Sequence, residues 1–92
     1  MNLKQGSGLV PIRGRGETPW LLVPMPDRDA FDAIYPRHSP DQRDRLYSIL
    51  IMRLKGAMLQ ECSKTFGITR ERVRQIEAHF QRLLGEHLSK LS

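Results

Sequence analysis

Beyond residue 40 the chain has no proline, and apolar side chains return every three or four positions, the period of a helix face. Ser39-Pro40-Asp41 reads as a helix start, with Ser39 as N-cap, Pro40 at the first helical position and Asp41 in the first turn. That helix should run to about Lys55 and end at Gly56. Leu46, Ile49, Leu50 and Arg53 share one of its faces, and Tyr47, Ile51, Leu54 and Met58 share another, so burial on two sides is expected. Leu59, Cys62 and Phe66 mark a second, short helix. Gly67 can take the left-handed conformation that ends it, Ile68 is an apolar turn residue, and Thr69 is an N-cap for a third helix. The third helix turns Val73, Ile76, Phe80, Leu83 and Leu84 inward and leaves Arg70, Glu71, Arg74, Gln75, His79 and Arg82 outward. A short helix, a glycine turn and a longer helix predict a helix-turn-helix. Leu84, Leu88 and Leu91 carry the spacing on toward the C-terminus, weakened by Gly85 at a cost of ~1 kcal/mol relative to Ala.

The first 40 residues hold all six prolines and most of the glycines. Closely spaced prolines fix φ and remove backbone donors, which prevents a long helix or a central strand. The fold class expected is therefore all-α: a helix-turn-helix domain over residues 39–92, preceded by an extended Pro/Gly-rich arm over residues 1–38. Two features within the arm call for burial. Trp20-Leu21-Leu22-Val23 is apolar, and residues 27–35 place Phe31, Ile34 and Tyr35 at helical spacing. Asp27 and Asp29 suit the start of such a short helix and Pro36 ends it, so it should dock through its aromatic face.

Composition narrows the function classes. Ninety-two residues make one small domain with a modest core. No apolar run approaches the ~18 residues of a membrane span. The N-terminus lacks the apolar region of a secretory signal, so a cytoplasmic protein is expected. A single cysteine forms no internal disulfide, and His38, His79 and His87 have no zinc-ligand spacing. Cys62, on an apolar helix face, reads as a buried structural thiol. No catalytic constellation is present, so neither an enzyme nor a cofactor is expected. Charge is more informative: Lys and Arg number 15 against 10 acidic residues, for a net charge of +5. Arg53, Lys55, Lys64, Arg70, Arg72, Arg74 and Arg82 face only Glu61, Glu71 and Glu77 in the central stretch, which therefore carries +4 of that total. A polyanionic partner follows.

The outward residues have the chemistry of base recognition. Arginine donates bidentately to guanine O6 and N7, glutamine pairs with adenine, and glutamate accepts from cytosine N4. They lie in the first two turns of the second helix of the motif, the part that reaches base edges. The run Thr69-Arg70-Glu71-Arg72-Val73-Arg74-Gln75-Ile76-Glu77-Ala78 closely resembles the promoter-recognition helix of region 4 in primary bacterial sigma factors. Residues 59–68 resemble that domain's first helix and turn, and residues 49–54 resemble the helix before it. The likeness covers about residues 43–84. It implies that Arg70, Glu71 and Gln75 contact bases of a −35-like element, that Arg74 contacts bases or backbone, and that Arg53 holds phosphate; Lys64 joins the DNA-facing set. It also implies contact with the flap of the RNA polymerase β subunit through Leu46, Ile49 and Leu50, and with upstream activators through His79 and Arg82. The sequence departs from the family where Met58 replaces a threonine and Ser63 a glycine, and Lys55-Gly56-Ala57 is a shortened connection.

Sigma factors hold polymerase and melt promoters mainly through another domain, for which this sequence has no room. The function implied is a small transcription regulator that engages −35-like double-stranded DNA, the polymerase flap, or both. Two alternatives stand beside it. One is a phage-type antitermination factor that loads on paused polymerase in place of sigma region 4; the cationic Arg13-Gly14-Arg15-Gly16 would then follow nascent RNA or a nucleic-acid channel. The other is a docking module that occupies polymerase without reading DNA.

Overall fold

The helices begin where side chains can satisfy their first backbone donors. In the computed structural model, which describes residues 9–13 and 20–91, helix α1 (Arg28–Ile34) starts behind Asp27, whose Oδ1 accepts from the Ala30 N–H at 2.9 Å. Helix α2 (Pro40–Leu54) starts behind Ser39. There the Gln42 N–H donates to Ser39 Oγ at 3.2 Å, and the Ser39 N–H donates to Gln42 Oε1 at 3.0 Å, closing a reciprocal capping box. Helix α4 (Arg70–Leu91) follows Thr69, whose hydroxyl accepts from the Arg72 N–H at 3.0 Å. Helix α3 (Leu59–Phe66) is capped differently. Met58 has no oxygen to offer, and the Glu61 carboxylate instead accepts from the Met58 N–H at 3.3 Å.

Glycine sets two of the turns. Gly56 follows α2 at φ 100°, and Gly67 ends α3 at φ 66° with its N–H bonded to the Ser63 carbonyl. Only glycine takes such angles at little steric cost.

The chain is mostly helical, as the pattern from residue 27 onward predicts, and the proline-rich stretch adds a sheet that the pattern did not announce. Strand β1 (Leu9–Arg13) and strand β2 (Trp20–Pro24) pair antiparallel, with Val10 opposite Val23 and Pro11 opposite Leu22. A two-stranded ladder has only edge strands, where a proline can sit without forfeiting an inter-strand bond. Val10 is buried, Val23 is half-buried against the core, and Leu9 and Leu22 stay exposed. Of the cationic segment Arg13–Gly16, residues 14–16 lie outside the described residues.

One core joins all these elements. Val10 packs with Phe31, Ile34 and Tyr35 of the α1 region, Ile49, Leu50 and Leu54 of α2, Cys62 of α3, and Val73, Ile76, Phe80 and Leu84 of α4. The compositional boundary at residue 38 is therefore not a break in packing. Phe31 is central: its ring centroid lies 5.1 Å from Tyr35, 5.1 Å from Tyr47 and 5.7 Å from Phe80, so one fully buried side chain bridges three helices. Such aromatic pairs contribute about 0.5–1.5 kcal/mol each beyond their buried area. Charges reinforce the α1–α2 contact. Arg28 donates to Asp32 at 2.9 Å and pairs with Asp44, while its guanidinium stands 5.2 Å from the Tyr47 ring centre. Among the described residues no helix is long and apolar enough to cross a membrane.

Two tests address this packing. Gly85 lies within α4, and a Cβ built there would meet nothing within 4 Å. Gly85→Ala should therefore raise stability by about 0.5–1 kcal/mol, seen as a Tm increase of about 2–8 °C; an unchanged or lower Tm would mean that α4 is not a regular helix at this point. Burial pushes the Tyr35 phenol up to about 12. The folded state thus favours the neutral phenol, a preference fully present below the unfolded value of about 10 and lost as pH rises from there toward 12. Thermal melts followed by circular dichroism should show a steeper loss of Tm above pH 10 in the native protein than in Tyr35→Phe.

Candidate nucleic-acid interface

Helix α4 presents its outward residues because its inward ones are fixed by the core. Val73, Ile76, Phe80 and Leu84 are buried, and the helical repeat then leaves Arg70, Glu71, Arg74 and Gln75 exposed on the first two turns. The turn before α4 is held from three sides. The Ile68 N–H donates to the Ser63 carbonyl at 3.1 Å, and the Ser63 hydroxyl donates back to the Ile68 carbonyl at 2.5 Å. Arg45 of α2 donates to the Phe66 carbonyl at 2.5 Å, with its guanidinium 5.9 Å from the Phe66 ring centre, so a cation covers the C-terminal end of α3. Ser63 is thus a clamp on the turn.

Glu71 and Arg74 are joined in a forked pair, with Arg74 Nε 3.0 Å from Glu71 Oε2 and Nη2 2.6 Å from Oε1. The hydrogen bonds from Arg74 hold the Glu71 carboxyl below the usual carboxylate range, so it stays an acceptor at neutral pH. Both side chains are exposed, and the pair adds little stability. Its effect is on geometry, because each partner limits the rotamers of the other. Lys64 is exposed on the last turn of α3, on the element that leads into this surface.

Arg53 belongs elsewhere. The sequence places it against phosphate, but it is only 4% exposed. Its Nε donates to Glu77 Oε1 and its Nη1 donates to the Ala57 carbonyl at 2.6 Å. The face of α2 that carries Arg53 meets α4 where Glu77 turns inward, and each charge compensates the burial of the other. Arg53 is therefore a structural residue rather than a phosphate ligand. Because this pair is neutral overall, the net charge of the surrounding stretch is unaffected by its burial.

A second correction concerns the polymerase-facing set. Ile49 and Leu50 are fully buried, being the α2 residues that meet the core, and they cannot touch another macromolecule directly. Leu46 is half-buried and opens into a cleft of about 230 Å³ between α2 and the α3–α4 turn. Leu46 and Ile68 line this cleft over Ile49 and Ile76, and His38, Gln42, Arg45 and Arg72 line it with polar groups. No carboxylate lines it. Arg72 belongs to the cationic stretch that the sequence marks and His38 to the three histidines it offers, whereas Arg45 carries no such signal.

No protein-family model matches the chain, and neither a curated protein nor a solved structure matches it. The first two turns of α4 expose cationic, carboxylate and amide side chains close together. His79 and Arg82 are exposed farther along α4, and the His79 ring stands 6.4 Å from that of Tyr35 by centroids. Cys62 is fully buried, and burial pushes its thiol up, away from the reactive thiolate. Among the described residues no group of three or more His, Cys, Asp or Glu side chains converges on a point that would hold a metal.

The buried pair gives a direct test. Glu77→Ala should cost about 3–5 kcal/mol by leaving Arg53 charged and unpaired, whereas Arg53→Met with Glu77→Leu should recover most of that loss. Urea unfolding of the single and double variants measures both, and equal destabilisation in the two would contradict the assigned role.

Proposed function

We propose that the protein is a DNA-binding transcription regulator whose α3–turn–α4 unit is used as region 4 of primary sigma factors is used, to engage a −35-like element in the major groove. The observation that carries this reading is the joint exposure of Arg70, Glu71, Arg74 and Gln75 on the first two turns of a helix whose preceding turn is pinned. An α-helix of about 10–12 Å diameter fits the major groove. Residues in its first turns meet base edges there, and the Glu71–Arg74 fork presents an acceptor and a donor side by side. Lys64 and the net positive charge supply the sequence-independent attraction to phosphate.

The cleft beside Leu46 supports a second contact, to the polymerase β flap. It offers an apolar floor and, from Arg45, a cationic rim on the side of α2 and the turn, separate from the base-reading residues. DNA and polymerase can then be held together, and two modest contacts on one assembly reinforce each other through effective concentration. The same surface serves activation, repression or antitermination according to where polymerase stands when the protein joins it.

The test uses the full chain and two labelled 20-base-pair duplexes, one with a −35-like hexamer and one with that hexamer scrambled. Anisotropy titrations should show preference for the first, with affinity falling steeply as salt rises. Arg70→Ala should cost about 1–3 kcal/mol on the first duplex and little on the second. Equal binding of both duplexes by the native protein would remove the base-reading function.

A further inference from the structure

One cluster of cationic groups is not absorbed by base reading. Arg72 and His79 lie seven residues apart on α4, which sets them on one flank of the helix, and Arg82 follows one turn after His79, at the edge of that flank nearest the stripe of Gln75. All three are exposed. The flank is backed by the segment between α1 and α2, with the Tyr35 ring 6.4 Å from His79 and 5.1 Å from His38 by centroids. The groups that act on His79 are Arg82, His38 and Arg72, which share its sign, and Glu86, the opposing charge beyond them; Tyr35 stays neutral. Two arginines and a histidine thus follow one another along the surface of α4, and Glu86, one turn beyond Arg82, is the carboxylate that acts against them.

This arrangement is costly for a free protein, because like charges repel. An anion seated among them would remove the repulsion. The proposed docking supplies one. A helix nearly as wide as the major groove has a row of phosphates along each flank. If Arg70, Glu71 and Gln75 point to the floor of the groove, the adjacent flank of α4 faces one strand of backbone.

We propose that Arg72, His79 and Arg82 form a phosphate seat on the flank of α4 that takes the backbone of one DNA strand, with His79 as its proton-dependent member. The proposal rests on the DNA-binding reading above and adds to it a regulator, the proton. Burial first, and then Arg82, His38 and Arg72, lower the affinity of free His79 for a proton, so it is neutral at pH 7. A phosphate beside His79 reverses that balance, and His79 takes up a proton as the complex forms. The added affinity is fully present below the free value, where His79 is charged throughout, and is lost as pH rises through the value in the complex. The resemblance to sigma factors gives His79 and Arg82 to a protein partner; the seat gives them to DNA.

The experiment measures the affinity of the full chain for the same two duplexes from pH 5.5 to 8 at fixed ionic strength. Affinity for both should rise as pH falls, by about tenfold overall, the effect of one group shifted by one pKa unit. His79→Gln should flatten the dependence, and His79→Lys should bind tightly at every pH. His87→Gln, on the far end of α4, should keep the native slope. Proton NMR of the His79 ring should show its titration moved to higher pH when duplex is added. If the native protein binds but its affinity does not vary with pH, or if His79→Gln keeps the native slope, the seat is wrong while base reading survives. If the native protein binds neither duplex at any pH, both readings fall.

Discussion

The contact between Arg53 and Glu77 decides how the rest of the molecule is arranged. Each is a charge removed from water, which costs several kcal/mol unless the partner sits beside it. That requirement sets the last turn of α2 against the second turn of α4, and the extra bond from Arg53 to the Ala57 carbonyl ties in the short connection to α3. Apolar packing alone tolerates a small slide or rotation between helices. A buried ion pair does not, since a displaced partner leaves an uncompensated charge. The aim of Arg70, Arg74 and Gln75 follows from that register: Gln75 leaves α4 on the side away from Glu77, while Arg70 and Arg74, seven and three residues before Glu77, emerge beside it at the edge of the buried face.

Much of this was legible locally. Asp27, Ser39, Pro40, Gly67 and Thr69 act on backbone groups within a few residues, and each stands at the helix end that its chemistry predicts. The Ser39–Gln42 capping box was legible too, since a serine followed three residues later by glutamine is its signature. The surface of α4 could be read for the same reason: inward and outward residues alternate within one helix, whatever it packs on. What could not be read depends on residues far apart in sequence. Arg53 and Glu77 are 24 positions apart, and nothing local marks them as partners. The burial of Ile49 and Leu50 likewise depends on where α1 and α4 settle.

The strands were hidden for a different reason. Pro11 and Pro24 suppress the usual strand signal, and the alternation of Val10 with its neighbours spans only five residues. Their pairing is made favourable by burial of Val10 and Val23 against the helices. The proline content points to an extended arm without a central strand, and the two extended segments pair with each other as edge strands. Phe31 shows the reverse case. Its helical spacing with Ile34 and Tyr35 announced an aromatic face, and that face became the centre of the core.

Helix α4 runs unbroken for 22 residues, about 33 Å at the usual rise per residue, against a longest molecular dimension of 37 Å. Its first turns carry the exposed basic residues, while the same helix packs against β1. A rod of that length acts as a lever. The strand contact at the core is one mounting point of that rod, so a shift of Val10 against α4 would alter the angle at which Arg70 and Gln75 leave the protein. The proline-rich segment, through β1, then helps to set the bearing of that surface.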